Sequence, residues 1–283
     1  MSAEANRLLL ERRRIALVPT MGFFHEGHLS LMREAKKHCH KTVVSIFVNP
    51  AQFAPGEDME SYPRDFERDA RLAREQGVDI IFSPGSDDLY PEGFETYITL
   101  ERLPAHLCGV SRPTHFKGVA TIVLKLFNIV KPHVAIFGEK DYQQLVIIKR
   151  MTRDLNLDIR IIGAPIAREK NGLAMSSRNV NLTPDQTPSA LALGMALKKA
   201  REMLEQGITN SSEIIKTGTK IITSRPDTVI DYISICDPET LVDVATIKKP
   251  TLMALAVRVG NTRLIDNAIL YEGLSHKQKS SSV

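Results

Sequence analysis

Five short runs rich in Val, Ile and Phe, at residues 15–19, 42–48, 78–83, 133–137 and 159–163, alternate with amphipathic stretches near 28–39, 64–76, 116–130 and 141–155. No other feature constrains the fold as much. Nearly continuous apolar strands need cover on both faces, and strands separated by helices pair in parallel. The expected class is therefore α/β. The last of these helices is the clearest, with Leu145, Ile148, Met151 and Leu155 recurring at helical spacing. After about residue 170 the pattern changes. Helices read at 188–206, where Gly207 suits the C-terminal end, and at 212–223; strand-like runs follow at 229–235, 252–259 and 263–270. The expected division is a first domain at 1–168, a smaller α+β domain at 169–272 and a polar tail at 273–283.

At 283 residues and 43% apolar content, the chain has material for one large or two modest cores. Its formal charge of +4 is spread along the sequence, and it has no tryptophan and no clustered basic and aromatic residues, so a nucleic-acid partner is not expected. Cys39, Cys108 and Cys236 are odd in number and scattered, as reduced thiols are. No apolar run reaches membrane-span length. Arg12, Arg13 and Arg14 precede only a short apolar run broken by Pro19, which makes no signal peptide. A cytoplasmic protein without a membrane partner is expected.

Chemistry concentrates where the strands end. In an open parallel sheet, ligands bind beyond the carboxyl ends of the strands. Residues 19–28, Pro-Thr-Met-Gly-Phe-Phe-His-Glu-Gly-His, lead from the first strand into a helix, so free backbone N–H groups and the positive end of a helix dipole face one spot. His25 and His28 share one face of that first turn. Gly22 and Gly27 have Walker A spacing, but His28-Leu29 stands where Lys-Ser/Thr is needed, and no G-x-G-x-x-G is present. Asn49 and Gln52 follow the second strand; both are uncharged and can donate and accept. Gly138, Glu139, Lys140 and Asp141 follow the fourth. A lysine at a helix N-terminus opposes the dipole unless an anion sits there, and Gln144 lies one turn further on the same face. Met175, Ser176, Ser177 and Arg178 follow the fifth and offer hydroxyls and a guanidinium to a polyphosphate. No metal-ligand set is expected: His38-Cys39-His40 ends a helix and enters a strand, where neighbouring side chains diverge. His115, beside Arg112, Pro113 and Thr114, reads either as a ligand contact or as a helix cap. Asp58, Glu60, Asp65, Glu67 and Asp69 around Arg64, Arg68 and Arg71 read as a solvated helix face.

Taken together, VPTMG…HEGH, SIFVNPAQF, YPRD, RPTHFKGV, FGEKDYQQL, REKNGLAMSSRN, DYISICDPETL and TRLIDN resemble the pantothenate synthetase (pantoate–β-alanine ligase) family of the nucleotidyltransferase superfamily, from about residue 15 to 270. The resemblance implies a Rossmann-like parallel sheet with helices on both faces, plus a smaller C-terminal α+β domain. It implies ATP-dependent condensation of pantoate with β-alanine to pantothenate, AMP and pyrophosphate through a pantoyl-adenylate. ATP contacts are implied for Met21, Gly22, Phe23, Phe24, His25, Glu26, Gly27 and His28, for Gly138, Glu139, Lys140 and Asp141, for Ala167, and for Met175, Ser176, Ser177 and Arg178. Substrate contacts are implied for Gln52 and Gln144, with Asn49, Met21 and Phe47 nearby. His28 corresponds to the residue assigned as proton donor; His25, Lys140 and Arg178 are expected to share the catalytic load. Mg²⁺ on the β- and γ-phosphates and a homodimer are also implied. The sequence departs from the family pattern at Phe23 and Phe24, which replace smaller or aliphatic residues, and at Val180-Asn181, which replaces a more usual Arg-Tyr pair.

Overall fold

The computed structural model describes residues 1–54, 56–57 and 59–271; Asp58 and the tail expected at 273–283 lie outside the described residues. Strands β1 (Ile15–Thr20), β2 (Lys41–Ile46), β3 (Ile80–Phe82), β4 (Val134–Gly138) and β5 (Arg160–Ala164) form one parallel sheet in the order β3-β2-β1-β4-β5. The sequence direction reverses between β1 and β4, which makes the crevice beyond their carboxyl ends a topological switch point.

Alternation along β1 explains the layers. Ile15 and Leu17 join a core on one face, with Val119, Val123 and Leu126 of a long helix. Ala16 and Val18 join a core on the other face, with Leu31, Met32 and Ala35. Both faces of the strand are apolar, so both must be covered. The covering helices are α1 (Ser2–Leu10), α2 (Glu26–Lys36), α3 (Phe66–Glu75), the short α4 (Ser86–Leu89) and α5 (Cys108–Ser111), α6 (His115–Val130) and α7 (Tyr142–Asp154). Helix α1 was not expected from sequence; Ala5 and Leu8 anchor it to the first core.

Strands β6 (Thr228–Cys236), β7 (Thr251–Val259) and β8 (Thr262–Leu270) form a separate antiparallel sheet in that order. It packs with α8 (Thr187–Glu205) and α9 (Ser211–Thr223) around its own apolar cluster. Cys236, Leu241, Leu252 and Ala254 belong instead to the first core, so the two sheets are joined through packed side chains.

Candidate active site

The loop after β1 is shaped by one buried carboxylate. The chain turns through Gly22 (φ 84°) and Phe23 (φ 52°), in the left-handed region. A Cβ on Gly22 would lie 3.0 Å from Asp69 Oδ2 and 3.1 Å from Ile46 Cγ2. Asp69 of α3, only 1% exposed, accepts the Phe23 N–H at 2.6 Å and the Phe24 N–H at 2.7 Å. This corrects the reading of Asp69 as part of a solvated face. His25 then caps α2: its Nδ1 accepts the Gly27 N–H at 3.1 Å, and His28 Nδ1 accepts the His25 N–H at 3.3 Å. The two rings lie 4.1 Å apart. With Nδ1 acting as acceptor, each neutral ring carries its proton on Nε2. Burial, aided by the charge of Lys140, pushes His25 down to about 4; burial, His25 and Lys140 hold His28 well below the usual histidine range. At neutral pH the pair therefore offers two uncharged Nε2–H donors beside a helix N-terminus.

A second set of groups follows β2. Asn49 caps the 3₁₀ turn Pro50–Gln52 through the Ala51 N–H, and its Nδ2 donates to Gln52 Oε1 and to the Gly118 carbonyl, both at 3.1 Å. Gln52 Nε2 donates to Met21 Sδ at 2.9 Å. The Gln52 carbonyl accepts from Arg112 Nη2 at 3.2 Å and from His115 Nδ1 at 2.8 Å. Asn49, buried at 1% exposure, thus aims Gln52. His115 opens α6 but makes no side-chain cap, so of its two readings from sequence the cap is not met.

The third and fourth segments come from the other half of the sheet. Lys140 sits in a 3₁₀ turn, Glu139–Asp141, ahead of α7, and so does not occupy the helix's first turn as expected. Asn267 of β8 fixes that turn by donating to the carbonyls of Glu139 at 3.0 Å and Lys140 at 2.9 Å. The Lys140 ammonium has no ion-pair partner among the described residues. Beyond β5, the Met175 N–H donates to the Ala167 carbonyl at 2.9 Å. Ser177 Oγ lies 3.2 Å from Tyr62 OH, and the Arg178 guanidinium stands over the Tyr62 ring at 5.7 Å.

These segments enclose one cavity of about 240 Å³. Its wall carries Met21, His25, Gly27 and His28; Phe47, Asn49 and Gln52; Gly138, Lys140, Asp141 and Gln144; and Ala167, Met175, Ser176, Ser177 and Arg178. It opens into a neighbouring space of about 870 Å³ between the two sheets, with Lys140, Asp141, Gln144, Ser176 and Arg178 bordering both. Ligand pockets run to roughly 300–1,000 Å³, so a nucleotide and a second substrate need both spaces.

Five residues expected at the ligand do not line the cavity. Gly22 and Phe23 form the strained turn, and Phe24 is buried in a core with its ring 5.4 Å from that of His28. Glu26 is exposed and pairs with Arg33. Glu139 faces away, its side chain against Gly163 of β5, and only its carbonyl is used, by Asn267. His115 lines the site, as one of its two sequence readings allowed; other wall residues went unread. Arg112 and Tyr62 line the site, as do Val119, Ile122, Val123 and Leu126 of α6. The last four recur at i, i+3, i+4 and i+7, a pattern that a buried core face shares, so periodicity alone could not separate core from cavity.

The family model described as Pantoate-beta-alanine ligase matches residues 1–269. A pantothenate synthetase from Desulfatibacillum aliphaticivorans is 54% identical over 270 residues, covering 95% of this chain and 96% of that protein. One from Syntrophus aciditrophicus (strain SB) is 55% identical, covering 93% and 92%. The crystal structure of pantothenate synthetase from Thermus thermophilus superposes with a TM-score of 0.91 at 44% identity, covering 96% of this chain and 98% of that one. A pantoate-beta-alanine ligase from Francisella tularensis, in complex with beta-gamma ATP and beta-alanine, gives a TM-score of 0.76 at 34% identity, covering 95% and 94%. With a catalytic-type cavity at the switch point and this likeness over nearly its whole length, the chain belongs to the pantoate–β-alanine ligase family.

Proposed function

We propose that the chain joins pantoate to β-alanine at the expense of ATP, giving pantothenate, AMP and pyrophosphate through a pantoyl-adenylate. The observation that carries this reading is convergence: His28, Lys140 and Arg178, from three separate segments, line one cavity with Gln52 and Gln144. A relative in complex with beta-gamma ATP and beta-alanine supports it.

The chemistry follows from the lining. A carboxylate oxygen is a poor leaving group, so pantoate first attacks the α-phosphorus of ATP and expels pyrophosphate. Charge gathers on phosphate oxygens, where the two imidazole N–H donors, the Lys140 ammonium and the Arg178 guanidinium stabilise it without reorganising. Neutral imidazoles serve here as hydrogen-bond donors, much as a histidine at a helix N-terminus can polarise an oxygen while uncharged. Gln52 and Gln144 hold the hydroxyls and carboxylate of pantoate, and the Val119, Ile122, Val123 and Leu126 stripe suits its two methyl groups. The amine of β-alanine then attacks the acyl carbon and AMP departs.

Among the described residues no group of three His, Cys, Asp or Glu side chains could cage a metal. Mg²⁺ would therefore enter on the β- and γ-phosphates, with water and phosphate oxygens as ligands, and would neutralise the leaving pyrophosphate. Residues 169–271 act in this reading as a lid that excludes water from the acyl-adenylate, hinged at 165–172. A coupled AMP-release assay tests the whole. Release should require both pantoate and β-alanine; AMP and pyrophosphate formed in steady state without either would overturn it.

A further inference from the structure

The histidines lining the cavity are of two chemically opposite kinds. Beside the helix N-terminus, His25 and His28 each spend Nδ1 on a backbone N–H and present Nε2–H. His115 is built the other way. Its Nδ1 donates to the Gln52 carbonyl at 2.8 Å, so the neutral ring holds its proton there and presents an Nε2 lone pair. That nitrogen has no partner among the described residues, and the ring lines both the cavity and the space beside it. The carboxylate of Asp141, likewise without a partner among the described residues, borders the same two spaces. The other carboxylate nearby, Glu57, is tied up in a two-pronged pair with Arg112 at 2.6 Å. Donors suit a triphosphate; acceptors suit an ammonium nucleophile.

Building on the ligase reading above, we propose that His115 Nε2 is the base that takes the proton from the attacking amine, with Asp141 drawing the ammonium of β-alanine to it. The ammonium gives one proton to water and attacks as the free amine. The C–N bond forms, the acyl C–O bond to the phosphate breaks with its electron pair leaving on AMP, and the remaining ammonium proton passes to His115 Nε2 and then to solvent. Burial and the charge of Arg112 push His115 down to about 4, while the Gln52 carbonyl, Glu57 and Asp141 work in the opposite direction. A ring that is neutral when the amine arrives can therefore accept.

The test separates the two half-reactions. His115→Asn keeps a donor where Nδ1 stands, and so the bond to Gln52, but removes Nε2. Pantoate-dependent exchange of pyrophosphate into ATP, run without β-alanine, should stay within about threefold of the parent. Single-turnover amide formation from enzyme-bound pantoyl-adenylate should slow on the order of 10²-fold. His115→Gln, should the first variant fold poorly, places an amide near the Nε2 position and should likewise lose transfer more than exchange. Asp141→Asn should raise the KM for β-alanine by a larger factor than it slows exchange. Equal losses in both half-reactions, or unimpaired transfer in His115→Asn, would overturn the assignment. A parent enzyme with no pantoate-dependent exchange would instead remove the ligase reading itself.

Discussion

Asp69 is the residue on which the nucleotide loop turns. Its two carboxylate oxygens accept the Phe23 and Phe24 N–H groups, one each, and Phe23 is held in a left-handed conformation that costs an ordinary residue roughly 1–2 kcal/mol. Burial raises the Asp69 pKa although both N–H bonds and Arg68 oppose it. The sign matters. A carboxylate whose folded-state pKa is raised is ionised at a cost to the fold, and that cost grows as pH climbs above its unfolded pKa. Asp69→Asn removes the cost while giving up one of two loop bonds. Its Tm should therefore move by less than about 4 °C, equivalent to ~1 kcal/mol. The kcat/KM for ATP should nevertheless fall at least about tenfold, the equivalent of 1.4 kcal/mol of transition-state binding, because the His25–His28 box loses its seat. The KM for pantoate, which the proposed function assigns to Gln52 and Gln144 on other elements, should stay put. Calorimetry and steady-state kinetics on the same preparation check this; an unchanged kcat/KM would remove Asp69 from the site. Sequence alone could not show this role. Asp65, Glu67, Arg68 and Asp69 alternate like a solvated face, and the N–H groups that occupy Asp69 lie more than 40 positions away.

At the scale of elements, α6 and the turn after β2 behave as one piece. Gly118 packs so closely on the Ala51 carbonyl that a Cβ there would fall well inside van der Waals contact with backbone atoms, which cannot swing aside as a side chain can. The Gly118 carbonyl also receives Asn49 Nδ2. Gly118→Ala should push the Pro50–Gln52 turn away from α6, at a cost typical of overpacking, about 1–3 kcal/mol. The KM for pantoate should rise well above that for ATP, and a pantoate KM equal to the parent's would show that Gln52 tolerates the shift. The elements themselves were largely legible: β1, β2, β4, β5, α6 and α7 follow from apolar runs and helical spacing, since their cores demand both. Helix α2 starts at Glu26, two residues before the expected 28, because His25 acts as its cap. Strand β3 spans only Ile80–Phe82 of the expected 78–83, as edge position leaves it one pairing partner. Of the site, the loops after β1, β2, β4 and β5 were readable because strand ends in a parallel sheet share one rim. Arg112 was not, and His115 was left between ligand contact and cap, since the segment from the end of α5 to the start of α6 lies outside that rule.

The whole molecule raises the question of how an acyl-adenylate survives beside an open space of about 870 Å³. Two contacts hold the smaller sheet to the larger near the lysine turn: Asn267 on the Glu139 and Lys140 carbonyls, and the pair from Arg168 to Asp266 at 2.7 and 2.8 Å. Asp266 is 3% exposed, so stranding its charge by removing Arg168 would cost several kcal/mol, and these contacts should persist through any motion. Cys236, Leu241, Leu252 and Ala254 also tie the smaller sheet into the first core, so the closure proposed above would be a small motion that keeps these contacts and narrows the cleft lined by Gln186, Arg258, Asn261, Ser61 and Glu57. Holding the Lys140 turn fixed would let the proposed lid move without displacing the ammonium from the phosphates that the proposed function assigns to it. The expected outcome is a smaller radius of gyration in solution scattering when ATP and pantoate are both added, and no change with β-alanine alone. Asn267→Ala should blunt the compaction and raise the fraction of adenylate lost to water, measured as AMP released per pantothenate formed. Superimposable scattering curves with and without ATP plus pantoate would mean that residues 169–271 are a fixed wall, and that the intermediate is protected by rapid capture of the amine alone.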